Sequence, residues 1–429
     1  ILPALRWLGV TGALQAAIVL SAAFLIARAT GLVLPWVAQH GVAADADTGV
    51  KVSWLYLANI AGSASGSILT GFVLMNILPL AAIAQVLAIF ALVLLLAFAW
   101  ITRAPRQGVL AVAVAAAAGV AAAPLLAAGL WDRLLHKEKA FAASPVVEIV
   151  ENRSGVIAVT ADGVVYGNGM YDGRFNTDLT NDENGVARPF ALSLLHAAPK
   201  RVLMIGLSSG SWARIIASNP HVESLTIVEL NPGYVELASR HPETRSILTD
   251  PRINLVADDG RRWLAARPNE RFDAVVQNTT FNFRANVSNL LSREYLALVF
   301  SRLAPGGVFF YNATGSNRVQ RAACAFAPAG LRFMNHMALP KDGLAVDFTR
   351  WRRTLLDYRI DGRAVLDPGN PRSSEALADL MSMQDDWRTG RGPAGAMETC
   401  ASILDRTEGL APITDDNMGT EWRYPLGHE

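Results

Sequence analysis

Charge is scarce in this chain and unevenly spread. Of its 429 residues only 17% are charged, against about 25% in an average soluble chain, and the mean hydropathy is +0.26. Residues 1–143 hold 8 of the 38 Lys/Arg and 4 of the 37 Asp/Glu, and no charge lies between Lys51 and Arg103. Such a segment cannot make a water-facing surface, which excludes a purely cytosolic protein. Cysteine is nearly absent as well. Cys324 and Cys400 are too few for a disulfide scaffold or a Cys-based zinc site, and they suit a reducing compartment. The remaining chain keeps 30 basic and 33 acidic residues without a basic stripe, which argues against nucleic acid as a partner. No metal is called for. What remains is a membrane region joined to an ordinary globular one.

A bilayer core takes roughly 20 apolar residues per helix. Four stretches qualify: Leu8–Val37, Trp54–Met75, Ile77–Ile101 and Val109–Leu130. The first is too long for a cleaved signal peptide. The Asn76–Pro79 neighbourhood reads as a tight turn between antiparallel spans. Four spans bring both ends to one side, and Arg6, Arg133, Lys137 and Lys139 assign that side to the cytoplasm; Arg103 and Arg106 then fall outside. The expected location is therefore a membrane, multi-pass, with the globular part in the cytoplasm. The chain opens at Ile1 rather than Met, which leaves room for residues upstream. Gly62, Gly66 and Thr70 form a small-residue stripe, read first as packing within the chain and second as a homodimer face. Arg28 lies deep in the first span, where a charge is a functional candidate unless it snorkels to the interface.

After Lys139 the pattern changes. Val146–Val150, Gly155–Thr160 and Gly163–Tyr166 are short β runs separated by turn signals, a small hairpin module that with the polar loop Asn168–Asn184 spans residues 144–185. A helix is expected at Ala187–His196. From Arg201 strands and helices alternate: RVLMIG, SLTIVEL, INLVA, FDAVVQ and GVFFYN as strands, with helical stretches between them. Alternation of continuous apolar strands with helices predicts an α/β, Rossmann-like, doubly wound parallel sheet over 186–330, with 331–429 as its C-terminal extension. Ligands bind such sheets beyond the carboxyl ends of the strands, so polar residues that close strands are candidates. Gly206, Ser208, Ser209 and Gly210 close the first, Glu229 the second, Asp258, Asp259 and Gly260 the third, and Asn278 with Thr279 the fourth. The glycine turn lets backbone amides approach a ligand. A carboxylate at the second strand end suits ribose hydroxyls, and one at the third suits an exocyclic amine. With no phosphate-binding lysine, S-adenosylmethionine or a relative fits better than NAD or ATP.

RVLMIGLSSGS, LTIVELNPGYVELA, DPRINLVADDGRRWL, FDAVVQNTT, LLSREYL and LAPGGVFF together resemble the spermidine synthase family. With apolar helices ahead, the chain looks like the membrane-fused spermidine synthase-like proteins of bacteria. The resemblance implies a transferase of polyamine biosynthesis, with decarboxylated S-adenosylmethionine as co-substrate and a small-molecule acceptor. It puts the ribose carboxylate on Glu229 and the adenine-contacting aspartate on Asp259. The departures are informative. The aspartate of the family's first loop is replaced by Ser208 and Ser209, and its catalytic aspartate falls on Asn278. The next aspartate of that loop falls on Phe281, and the residues that grip a polyamine are replaced by Ala187, Arg188 and Pro189. Asparagine can orient an attacking amine but cannot take its proton. Replacement groups are at hand in the covering loop: Asp172 and Tyr171 as catalytic candidates, then Arg174, Asp178, Asp182 and Glu183. His196 reads as a helix end and Trp212 as packing, while Thr414-Asp415-Asp416-Asn417 reads as a cap or turn. Aminopropyl transfer leads. Methyl transfer or a cyclase- or lyase-type reaction within the sulfonium follows. A non-catalytic adenosyl sensor coupled to the membrane region is the alternative from another class.

Overall fold

The computed structural model describes residues 12–101, 103, 105–127, 129–136, 144–278, 287–390 and 392–417. The chain divides into two compact units, residues 1–161 and 162–429.

The first unit is helical: α1 (Gly12–Gly41), α2 (Thr48–Ile68), α3 (Leu80–Ile101), α4 (Arg106–Ala127) and α5 (Leu130–His136). A π-helical turn, Leu69–Leu74, carries α2 on to Ile77. Leu78 then turns extended, as the residue before a proline must, and the expected tight turn at Pro79 follows. Ala17–Gly41, Thr48–Ile77 and Leu80–Ile101 are long and apolar enough to cross a bilayer by length and composition; in α4 the apolar helix is the shorter Gln107–Ala121. Small residues, among them Ala84, Ala88, Ala116 and Gly119, line the groove between α3 and α4. The space beside Gly62 and Gly66 is open, so packing within the unit does not use that stripe among the described residues. Arg28 is exposed on α1. Strands β1 (Val146–Asn152) and β2 (Gly155–Thr160) pair antiparallel. Glu151 on β1 accepts from the Leu80 amide at 2.7 Å and from Trp131 Nε1 at 3.0 Å, a carboxylate at the positive start of α3.

The second unit opens with the hairpin β3 (Val164–Gly167) and β4 (Met170–Arg174) and two short helices, α6 (Ala187–Phe190) and α7 (Leu192–Leu195). Then comes the alternation expected from the sequence: β5 (Arg201–Ile205), α8 (Ser211–Ala217), β6 (Ser224–Glu229), α9 (Gly233–Arg240), β7 (Ile253–Ala257) and α10 (Gly260–Ala265). It continues through β8 (Phe272–Gln277), α11 (Arg293–Arg302), β9 (Leu303–Asn312) and α12 (Asn317–Phe326). Strands β10 (Leu331–Phe333) and β11 (His336–Pro340) lead to α13 (Phe348–Asp357) and α14 (Pro371–Thr389), and β12 (Met397–Thr399) with α15 (Cys400–Arg406) follows.

One sheet of eight strands results, in the order β12-β10-β11-β9-β8-β5-β6-β7. The five strands from β9 to β7 are parallel, and all but the edge strand β7 run largely buried, with Leu203, Val228, Val275 and Phe309 in the core. The doubly wound expectation holds there. The antiparallel strands β11, β10 and β12 are a finding beyond it. The strand order reverses between β5 and β8, which opens a crevice at their carboxyl ends. One reading is corrected. Cys324 and Cys400 are joined as a disulfide, with Cα atoms 5.1 Å apart across a sequence separation of 76, because the pairing of β12 with β10 carries the start of α15 against α12. The pair lends no support to a reducing compartment.

Candidate functional site

The crevice is built from strand ends. Beyond β5 the chain reverses through Gly206 (φ 89), Ser208 (φ 54) and Gly210 (φ 83) into α8. Glu229, closing β6, is buried and holds this turn in place. One carboxylate oxygen accepts from the Leu207 amide at 2.6 Å, the other from the Asn231 amide at 2.7 Å. At the end of β7, Asp258 pairs with Arg262 and accepts from the Asp259 amide at 2.7 Å. The Arg262 pairing, against a small burial penalty, holds its carboxyl below the usual range. Asp259 caps α10, accepting from the Arg262 amide at 2.8 Å. Gly260 is needed for closeness, since a Cβ there would lie 2.6 Å from Ile205 Cγ2. All the sequence-derived adenosyl candidates among the described residues therefore sit along one edge of the sheet. Thr279 lies outside the described residues, as do Thr280 and Phe281.

The three serines of the first loop take a structural part. Ser208 Oγ donates to the Asp172 carbonyl, while Ser209 Oγ and Ser211 Oγ each donate to the Arg174 carbonyl at 2.9 Å. They draw β4 onto the loop. The approach needs Gly173, where a Cβ would stand 2.6 Å from Ser208 Oγ at φ +149. The consequence is that Asp172, buried and accepting from the Tyr234 hydroxyl, is brought beside the serine-bearing loop.

Beyond Asp172 a cavity of about 390 Å³ opens, lined by Tyr171, Asp172, Gly173, Asn184, Arg188, Asn278, Asn312, Thr314, Gly315 and Asn335. All three catalytic candidates, Asn278, Asp172 and Tyr171, face it. The glycine loop, Glu229, Asp258 and Asp259 do not line it. Its far wall is a relay of amides. Arg188 Nη1 donates to Asn335 Oδ1 at 2.8 Å, Asn335 Nδ2 to Asn312 Oδ1 at 3.2 Å, and Asn312 Nδ2 to Asn278 Oδ1 at 3.2 Å. Arg188 also donates to the carbonyls of Gly185 at 2.8 Å and Asn184 at 3.0 Å, and its guanidinium lies 5.1 Å from the centroid of the buried Trp212 ring. Tyr171 donates to Asn184 Oδ1 at 3.0 Å, and burial raises its phenol above the ordinary value, so it stays protonated at neutral pH. His336 is fully buried beside Asn335; desolvation and then Arg188 hold it well below its ordinary pKa, hence neutral.

The other covering-loop candidates are spent on the loop itself. Asp178 caps Thr180, Asp182 accepts from the Val186 and Ala187 amides at 2.6 and 3.0 Å, and Glu183 and Asp162 both pair with Arg174. His196 ends α7, as read. Asp415 forms a two-pronged pair with Arg261 of α10, while Thr414 and Asn417 close a turn on each other. Sequence reading passed over Asn312 and Asn335. The rule that strand-closing polar residues are candidates would have found Asn312, the last residue of β9. Asn335 sits in the β10–β11 turn, and no sequence signal marked it.

Residues 191–327 match the family model described as "Spermine/spermidine synthase domain". That match covers about a third of the chain. The chain is similar to a spermidine synthase of Dictyostelium discoideum, 34% identical over 115 residues, 26% of this chain and 39% of the relative. It is also similar to a polyamine aminopropyltransferase of Mycobacterium tuberculosis, 32% identical over 138 residues, 31% of this chain and 26% of the relative. The chain thus spans well under half the length of these curated relatives. A solved spermidine synthase, in complex with the transition state analogue AdoDATO, is similar at 18% identity and a TM-score of 0.41, over 57% of this chain and 87% of that one.

Proposed function

We propose that the chain is a membrane-anchored transferase of the spermidine synthase superfamily. Its donor is an adenosylsulfonium, S-adenosylmethionine or the decarboxylated form. The carrying observation is the set of strand-end groups in register along one sheet edge: the glycine turn, Glu229, Asp258 and Asp259, with the Asn278 cavity beside them. Glu229 would accept the ribose hydroxyls, and Asp259 the adenine amine. The donor's tail, with its electrophilic carbon, would point into the cavity. A sulfonium is already a good leaving group. The acceptor's lone pair forms the new bond to carbon, the C–S bond breaks, its electrons neutralise the sulfur, and a neutral thioether leaves. The protein's part is chiefly to align and desolvate. The apolar helices of the first unit would hold the chain in a bacterial inner membrane with the synthase domain in the cytoplasm, where adenosylsulfoniums are made.

Asn278 favours a second reading within the same chemistry. It accepts from Asn312 and cannot serve as a base, which suits methyl transfer or a reaction inside the sulfonium better than deprotonation of an ammonium. Incubation of the whole chain in detergent with each sulfonium, with and without putrescine, separates these by mass spectrometry. Methylthioadenosine with spermidine marks aminopropyl transfer, and S-adenosylhomocysteine marks methyl transfer. Neither product, and no other sulfonium-derived product, would remove the enzyme reading in favour of a sensor.

A further inference from the structure

The cavity holds an unusual charge. Arg188 faces it with hydrogen bonds only to neutral oxygens, and among the described residues it forms no ion pair. The two acids before it in the chain are engaged elsewhere: Glu183 pairs with Arg174, and Asp182, which acts on the guanidinium only through its field, accepts from two backbone amides. A partly buried cation is ordinarily paired, because desolvation is costly without a countercharge. Among the described residues the walls next to it supply none: Tyr171 is protonated, and the side chains that link Arg188 to Asn278 are neutral amides. Asp172, with Tyr234 donating to it, is the one carboxylate among the described lining residues. A polyamine, cationic at both ends, would meet the guanidinium with its second ammonium. The cavity thus offers one site for a cation and one for an anion.

Resting on the adenosylsulfonium reading, we propose that this cavity binds a zwitterionic α-amino acid group, its ammonium at Asp172 and its carboxylate at Arg188. The group has two chemical sources. It is the methionyl tail of intact S-adenosylmethionine, which the decarboxylated sulfonium lacks, or it is carried by an amino acid acceptor. Guanidinium and carboxylate match in charge and in two-pronged geometry. The Asn335–Asn312–Asn278 relay would fix the guanidinium plane and leave Asn278 to orient the reacting end.

Calorimetric titration of the whole chain in detergent tests this, with 5′-methylthioadenosine as the probe that has no tail. S-adenosylmethionine should bind at least about tenfold tighter than the decarboxylated form, the value of one charge-assisted pair. Arg188→Gln should erase that preference and leave methylthioadenosine binding unchanged, and Arg188→Lys should retain part of it. If the two sulfoniums bind alike, yet L-ornithine binds about tenfold tighter than putrescine with methylthioadenosine present and Arg188→Gln erases this, the group belongs to the acceptor. Decarboxylated sulfonium and putrescine bound as well as their carboxylated counterparts, by a chain that still binds methylthioadenosine, overturns the proposal alone. Loss of methylthioadenosine binding in the unaltered chain overturns the adenosylsulfonium reading and this proposal with it.

Discussion

Two arginine-bearing clusters in the second unit are built on opposite plans. In the C-terminal part, Glu398 is fully buried between Arg332 and Arg406, with Nε–carboxylate distances of 3.0 and 2.8 Å and Ser402 Oγ at 2.9 Å. The remaining donors of Arg332 go to the carbonyls of Met334, Gly392, Pro393 and Gly395. Nothing is left for a ligand, and the cluster faces no cavity described above. Arg188, by contrast, meets only neutral oxygens and looks into a cavity of about 390 Å³. The difference teaches how to separate structural from functional charge. A charge neutralised inside the protein holds the fold, whereas one facing an opening without a partner is matched by what enters.

The sharpest way to break this comparison is to treat both clusters alike. Glu398→Gln strands two guanidiniums and should cost about 3–5 kcal/mol of stability, read as a fall in denaturation midpoint with ligand preference unchanged. Its acid limb gives a second check. Burial opposes ionisation of Glu398, but the hydrogen bonds from Arg406, Arg332 and Ser402 outweigh it and hold its carboxyl below the usual value. Its contribution is therefore fully present above the unfolded pKa and is lost as pH falls through the lower, folded one. Stability of the unaltered chain should drop more steeply below about pH 4.5 than that of Glu398→Gln, measured by denaturation at stepped pH.

Asn278→Asp comes next. It keeps the acceptor used by Asn312 but exchanges an amide donor for a charge in the cavity. Turnover should fall by up to about tenfold, the worth of one neutral hydrogen bond. A rise of about 10²-fold or more would show that a general base was what the site lacked. The smallest effect belongs to Arg188→Gln measured for stability alone. Three hydrogen bonds weaken while a partly buried cation is relieved, so the ligand-free chain should change by about 1 kcal/mol or less. A loss as large as that of Glu398→Gln would place Arg188 in the structural class after all.

What the sequence disclosed follows the same division. The parallel strands were legible because each is a continuous apolar run closed by a polar residue, and Glu229, Asp258 and Asn278 fell where those runs end. Asp172 was legible only as one of several acids in a polar loop. Its selection over Asp178, Asp182 and Glu183 depends on the serine contacts that draw β4 inward, which no spacing reveals. Arg188 was read only as a replacement for a polyamine-gripping residue, because its partner Asn335 comes from a distant segment. The edge strand β12, the Glu398 cluster and the disulfide share one cause. Each depends on pairings across 60 or more residues, such as Arg332 with Glu398 at a separation of 66 and Cys324 with Cys400 at 76.

The central claim is that an adenosylsulfonium is held at these strand ends, with Glu229 as its ribose anchor. Calorimetric titration of S-adenosylmethionine into the whole chain and into Glu229→Ala tests it most directly. The account predicts saturable binding that weakens by about 1.5–3 kcal/mol for each charge-assisted hydrogen bond lost. Equal affinity in a folded Glu229→Ala chain, or no binding to the unaltered one, would contradict it.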